Sequence, residues 1–268
     1  VSGGDGGGSP QLNDLWRAKR VLVTGATGFI GQQLVRQLIE VGAEASAGLL
    51  PDDPAARQLH EKAKRLTIDI RDGKSVSRAV AESDPEIVFH LAAVGVADTS
   101  IGAREALEVN TGGTINLLEA LQGRSVSRVV LAGTSYEYGA RQAREGLDPF
   151  SFYAASKAAA WAFARVYRRA FDFPVVVARP GQVYGPHQPA HVLIPAAVCA
   201  ALAGSDFPMT PGEQKRDFVF VDEVAAGFMA VATPRGLRGR ASIWERERCT
   251  ASAKSWSRYG QSPARAGR

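Results

Sequence analysis

The sequence predicts an α/β fold built on a doubly wound parallel sheet, and three observations carry that expectation. From residue 19 to about 180, short β-branched apolar runs alternate with stretches of helical period. One of those runs, "PEIVFHLAA", is apolar almost throughout, the mark of a strand buried on both faces. A glycine turn, "TGATGFIG" at residues 24–31, stands directly between the first strand and the first helix.

Each element can be justified in order. "KRVLVTG" is a β-branched strand running into the glycine turn. "GFIGQQLVRQLIEVGAE" carries Ile30, Leu34, Leu38 and Val41 at helical spacing, and Gly42 punctuates its end. "RLTIDI" is a strand and "KSVSRAVAES" a helix. "EALEVNTGGTINLLEALQ" is the helix after "PEIVFHLAA", and "VSRVVLAGTS" the next strand. "YAASKAAAWAFARVYRRAFD" is a long helix, and "FPVVVARPGQVYG" a strand leading into a loop. Strand and helix alternating at this spacing implies right-handed crossovers and a sheet covered on both faces. The expected organisation is a flexible lead over residues 1–18, the alternating strand–helix domain over 19–180, a smaller loop-built region over 181–240 and a basic tail over 241–268.

Composition excludes several classes. No stretch approaches the ~18–20 apolar residues of a spanning helix, and "VSGGDGGGSP" lacks the pattern of a signal peptide. No membrane association is expected, and Cys199 and Cys249 give neither a disulfide framework nor a metal spacing, so a cytoplasmic protein is expected. The net charge of +5 sits in the tail. Residues 235–268 hold nine Lys/Arg against two Asp/Glu, and the remainder is slightly acidic, so no nucleic-acid partner is expected. His187 and His191 flank a proline-rich loop without an acid or thiol beside them, which reads as two solvated histidines and no metal site.

The glycine turn has a specific physical use. Gly25 permits the tight turn, Gly28 lets backbone approach a pyrophosphate, and Gly31 lets the helix pack on the sheet. Amides at the helix start, including those of Phe29 and Ile30, then face the phosphates, helped by the helix dipole. Three glycines in an ordinary turn are the bland alternative, which their place at the head of a βαβ series disfavours.

Tyr153 and Lys157 lie four apart, on one face of a helix. A phenol titrates near 10, far from what proton transfer at neutral pH requires, and a neighbouring ammonium favours the phenolate. The lysine also has the reach to touch a nicotinamide ribose. The bland alternative is a surface pair on an amphipathic helix.

The GxxGxxG spacing together with "YAASK" resembles the extended branch of the short-chain dehydrogenase/reductase superfamily, the nucleotide-sugar epimerases, dehydratases and reductases. The resemblance covers roughly residues 19–235 and includes "HLAA", "VNTGGT", "RPGQVYGP" and "RDFVFVDEVA" in order. It implies a Rossmann-type sheet, a homodimer paired through its long helices, and a nucleotide-sugar substrate. It further implies that Asp69 and Ile70 flank the adenine and that Leu91, Ala92 and Ala93 line the dinucleotide. Asn110, Pro180 and Val183 complete that lining, a capping or packing group being the bland alternative for Asn110.

Thr134, with Ser135 beside it, is implied as the hydroxyl that polarises the substrate oxygen while Tyr153 moves the proton and Lys157 tunes Tyr153. Gln182 is implied at the sugar diphosphate and Arg216 at its pyrophosphate, where a surface salt bridge with Asp217 is the bland alternative. The 4,6-dehydratases of the family carry Asp-Glu directly after the threonine. Here those positions are Ser135 and Tyr136, and Glu137, one residue later, is expected to point elsewhere on an extended segment. That favours a reductase of nucleotide-linked 4-keto-6-deoxy sugars, with a 4-epimerase as the alternative. A dinucleotide-binding module without turnover is the alternative of another class.

The cofactor, NADP or NAD, turns on one position. An acid usually ends the second strand and holds the ribose hydroxyls, but "ASAGLLPDD" places Leu49 there, with Asp52 and Asp53 beyond it. Loss of the acid tilts the expectation towards NADP, although no arginine takes its place.

The tail does not continue the family pattern. Residues 242–257, back-translated with G or C at the third positions that matter except in the two Glu codons, spell HLGTGTVHRVREVVE in a shifted frame. A Gly-Thr-Gly loop followed by a helix start is what the resemblance implies at this point. A frameshift near residue 241 is therefore expected, and the coding DNA decides it.

Overall fold

The structure, a computed structural model, describes residues 14–96, 100–139, 146–209 and 216–233. The tail and the frameshift expectation lie outside the described residues. Six strands, β1 (Arg20–Thr24), β2 (Glu44–Leu49), β3 (Lys64–Thr67), β4 (Ile87–His90), β5 (Arg128–Ala132) and β6 (Val175–Ala178), form one parallel sheet. Their order is β3-β2-β1-β4-β5-β6, the doubly wound arrangement in which the direction of strand addition reverses between β1 and β4 while all strands stay parallel. The fold is Rossmann-type, as the alternation predicts.

Each strand sends alternate side chains to opposite layers. Val21, Val23, Phe89, Val130 and Val176 enter the layer that holds helix α1 (Phe29–Glu40) on one face. Leu22, Val88, Val129, Leu131 and Val177 enter the layer that holds helix α2 (Gly73–Ser83) on the other. The second layer is completed by a continuous helical segment, α3 (Ala103–Ala106), a wide turn (Leu107–Gly112) and α4 (Gly113–Leu121), and by α5 (Phe152–Phe171). The wide turn is a π segment that helical periodicity does not register, and it contains Asn110.

Two features depart from the expected boundaries. Trp16, within the expected flexible lead, is 1% exposed and packs against Phe89 with ring centroids 6.2 Å apart. An indole recovers more from burial than the ordering of a few residues costs, which ties the described end of the lead to the core. Beyond residue 180 come a two-stranded sheet, β7 (Gln182–Tyr184) with β8 (Phe218–Phe220), helix α6 (Leu193–Ala203) and helix α7 (Val221–Ala232). The last returns to the main sheet. Val224, Ala225 and Phe228 join the core beside α1, and Asp222 takes Arg36 at 3.0 Å.

Candidate functional site

The crevice outside the carboxyl ends of β1 and β4 is where a doubly wound sheet leaves room for a ligand. Gly25 sits there with φ +68°, and a Cβ on it would lie 2.6 Å from the Ala92 nitrogen, so only glycine lets the β4 loop close on the turn. Gly31 is pressed against Gly25 and Ala26 in the same way. Gly28 differs. A Cβ there would meet only the Gly25 carbonyl, at 3.2 Å, and the residue is exposed.

Gly28 caps α1 with no side-chain hydrogen bond, and no acid stands in the first turn. The helix start, with Phe29, Ile30 and Gly31, therefore presents unshielded amides to an anion. The residues fit a dinucleotide pyrophosphate. Gly28→Val should leave the melting temperature within a few degrees and weaken NADH binding severalfold or more, read by fluorescence titration.

A buried polar chain runs from the turn to the long helix. The Thr24 hydroxyl pairs with His90 Nδ1 at 2.7 Å, His90 Nε2 with Thr114 at 3.1 Å, and Thr114 donates to the Asn110 carbonyl at 2.6 Å. Burial holds His90 neutral, its pKa pushed down to about 3. Asn110 Nδ2 donates to the Val94 carbonyl at 3.1 Å and to Ser156 Oγ at 2.9 Å, while its own Oδ1 accepts from the Val94 amide at 2.9 Å. Asn110 thus clamps the β4 loop, with Leu91, Ala92 and Ala93, to the helix that carries Tyr153. Its side chain is committed to that support. Ser156, next to Lys157, is a member of this chain that local sequence gave no reason to select.

The Ser151 hydroxyl caps α5 by accepting from the Ala154 amide at 3.1 Å, which fixes Tyr153 in the first turn. Tyr153 lies close enough to Thr134 for the threonine side chain to favour its phenolate, and Lys157, 5% exposed, lies one turn further on. The structure thus brings Tyr153 to Thr134 on the face it shares with Lys157.

The electrostatics reverse one expectation. Tyr153 is pushed up, first by burial and then by the negative charge of Glu137, with the Thr134 side chain acting against both. Burial brings Lys157 down to about 8, against an opposing pull from Glu137. Withdrawal from water and the Glu137 charge outweigh the pull of Thr134, so the tyrosine holds its proton in the protein alone.

Glu137 was also misplaced by the sequence. The segment after Thr134 is a 3₁₀ turn (Ser135–Tyr138), not an extended run. Thr134 caps it, accepting weakly from the Tyr136 amide at 3.3 Å, while Glu137 reaches back to the Thr134 amide at 2.9 Å. Its other oxygen takes Arg179 Nε at 2.8 Å, and Glu137 is 0% exposed. The Arg179 guanidinium lies 5.4 Å from the Tyr138 ring and 5.9 Å from that of Trp161 on α5. One buried ion pair thus fastens the Thr134 turn between β6 and the Tyr153 helix. The signal available was the Thr-x-x-Glu spacing of a capping box.

The remaining residues fall in two groups. The Ser135 amide donates to the Pro180 carbonyl at 3.1 Å, and Gln182 Nε2 donates to the Tyr136 hydroxyl at 2.6 Å, which gathers Ser135, Pro180 and Gln182 at one mouth with Val183 behind them in β7. Arg216 is exposed just before β8, and Gln182 is tied to that strand through the Asp217 carbonyl at 2.8 Å. Asp69 and Ile70 stand at the opposite side. Asp69 is gripped by Arg71 at 2.7 and 3.0 Å, which lowers its pKa. Ile70 packs its side chain into the core against Gly113, and its carbonyl accepts from Asn116 Nδ2 at 2.9 Å.

A family model described as "NAD dependent epimerase/dehydratase family" matches residues 21–241. The chain belongs to that family. It is 32% identical over 247 residues to the dTDP-glucose 4,6-dehydratase of Neisseria gonorrhoeae, covering 80% of this chain and 69% of that protein. It is 34% identical over 237 residues to the UDP-glucose 4-epimerase of Mycolicibacterium smegmatis, covering 81% and 74%. Among solved structures, the UDP-glucose 4-epimerase of Thermus thermophilus in complex with NAD superposes with a TM-score of 0.67 at 34% identity, over 80% of this chain and 75% of that one. The chain therefore spans about two thirds to three quarters of the length of these family members. Among the described residues, no helix is long and apolar enough to cross a membrane.

Proposed function

We propose that this family member moves a hydride between a nicotinamide dinucleotide and C4 of a nucleotide-linked hexose, acting as a reductase of 4-keto-6-deoxy sugars. The observation that carries it is the placing of Tyr153 beside Thr134, with buried Lys157 one turn away on the same helix. The nicotinamide, when bound, supplies or accepts the hydride. Tyr153, whose phenol burial keeps protonated, gives its proton to the C4 oxygen, and the Thr134 hydroxyl donates to the same oxygen. Lys157, at about 8, keeps its ammonium at neutral pH and holds the ribose and the developing phenolate. Gln182 and Arg216 would meet the sugar diphosphate, a guanidinium being suited to two phosphate oxygens at once.

A 4,6-dehydratase is disfavoured despite the Neisseria relative. Elimination needs an acid and a base after the threonine, and Ser135 and Tyr136 supply neither a carboxylate nor a free phenol, since Tyr136 is bonded to Gln182. A 4-epimerase is the second reading, supported by likeness to the Mycolicibacterium and Thermus 4-epimerases. A panel of nucleotide-linked sugars separates the two. A reductase consumes one NAD(P)H per product, whereas an epimerase interconverts C4 stereoisomers with no net consumption, and product from neither route would leave a binding module.

The protein is further proposed to pair through α4 and α5. The outward face of α5 carries exposed Ala155, Phe163 and Val166, with Leu107 exposed at the π turn. Ala154 and Ala160, expected at the same contact, are instead buried within the subunit. Light scattering at micromolar concentration should give twice the chain mass, and Phe163→Lys should return it to one.

A further inference from the structure

Strand β2 ends at Leu49, in register with Thr67 of β3, and Gly48 stands beside Thr24 of β1. An adenosine ribose lies against this strand end in a doubly wound dinucleotide site. Leu49 offers it nothing polar, and Leu50 is 51% exposed. The chain then turns through Asp52, held at φ +54°, and delivers Asp53 back to the glycine turn.

Asp53 is anchored there from two sides. Its Oδ2 accepts the Thr27 hydroxyl at 2.6 Å, and its Oδ1 accepts the Ala55 amide at 2.9 Å as the cap of the short 3₁₀ helix Pro54–Gln58. Thr27 lies between Gly25 and Gly28, and the turn it belongs to is fixed in its own right. The Ala26 amide donates to the Gly48 carbonyl at 3.2 Å, and Gln32 Nε2 to the Thr27 carbonyl at 2.7 Å. A carboxylate has about four acceptor positions, and these two bonds leave the others for a ligand. A rigidly held acid therefore sits between the phosphate turn and the end of β2, four residues beyond the position where the strand itself would supply one.

We propose that Asp53, locked to the glycine turn by Thr27, takes the place of the missing strand-end acid: it accepts from the 2′-hydroxyl of the adenosine ribose and excludes a 2′-phosphate, so that the protein selects NAD(H) over NADP(H). This rests on the dinucleotide reading of the site and reverses the leaning to NADP drawn from Leu49. Sequence position alone could not show it, because the tie between residues 27 and 53 is made only once the turn and the loop are folded together. The basic side chain that could argue the other way is Arg57, exposed on the same 3₁₀ helix.

The test is equilibrium binding of NADH and NADPH to the full chain, read by fluorescence and needing no turnover. Wild type should bind NADH tighter than NADPH by on the order of 10–10²-fold, as expected for like charges brought within a few ångströms near a protein surface. Asp53→Asn should weaken NADH and strengthen NADPH, closing most of that gap. Thr27→Val, which removes only the anchoring hydroxyl, should close part of it and guards against a folding defect in the first variant. Equal affinities in wild type, an unchanged ratio in both variants, or a preference for NADPH that Arg57→Ala abolishes would each overturn the proposal. A parallel change for both dinucleotides would also overturn it, since the carboxylate would then be acting on the shared pyrophosphate. Failure of wild type to bind either one would overturn the dinucleotide reading along with it.

Discussion

Replacing Tyr153 with Phe is expected to lower turnover by about 10²–10⁴-fold while leaving NADH affinity within about twofold. The ring remains, so the packing of α5 against the β4 loop is kept. What is lost, on the proposed mechanism, is the proton that Tyr153 would give to the substrate oxygen. Burial places that proton on the phenol in the protein alone, so on the proposed mechanism the wild-type site would begin reduction with its acid loaded. Lys157 sets the upper limit of the working range. With its pKa brought down from 10.5 to about 8, its ammonium is present at neutral pH and is lost as pH rises through that value. Wild-type turnover should therefore fall above about pH 8. Near-normal turnover of the Phe variant would remove Tyr153 from the chemistry.

Replacing Glu137 with Ala is expected to destabilise the protein by about 3–5 kcal/mol, the cost of leaving one charge of a buried pair without its partner. Arg179 would remain buried against Tyr138 and Trp161 with no carboxylate, and the Thr134 amide would lose its acceptor. Glu137→Gln, which can still accept at one oxygen, should cost less. By contrast, Asp69→Asn breaks an ion pair whose Arg71 partner is half exposed, and its effect should be a small fraction of the Glu137→Ala loss. Urea titration measures all three. If Glu137→Ala matched Asp69→Asn, the clamp on the Thr134 turn would have no energetic weight.

The parts of this protein that sequence made legible are those set by local pattern. Apolar runs and helical periods placed five of the six strands and the helices between them, while alanine-rich β2 (EASAGL) has no such run and entered only through the family pattern. The glycine turn and the Tyr153–Lys157 spacing were legible because each is complete within a few residues.

What escaped were contacts between distant segments. Trp16 looks like part of a glycine-rich lead until Phe89 is beside it, and Glu137 looks like a stray acid until Arg179 arrives from 42 residues away. Asp53 is a loop residue until Thr27 holds it. The sign of the Tyr153 shift escaped too, since a sequence shows which charges are near but not how much water has been removed.

Whether Tyr153, Thr134 and Lys157 serve hydride transfer to a nucleotide-linked 4-keto sugar can be read in a single turnover. The NADH-loaded protein is mixed with such sugars and the absorbance of the reduced nicotinamide is followed. Absorbance should be lost with at least one 4-keto-6-deoxy sugar in the wild type. In a Tyr153→Phe variant that binds NADH equally well, that loss should be slowed by about a hundredfold or more. Loss at the same rate in both proteins, or no loss in a wild type shown to bind both NADH and the sugar, would contradict the assignment.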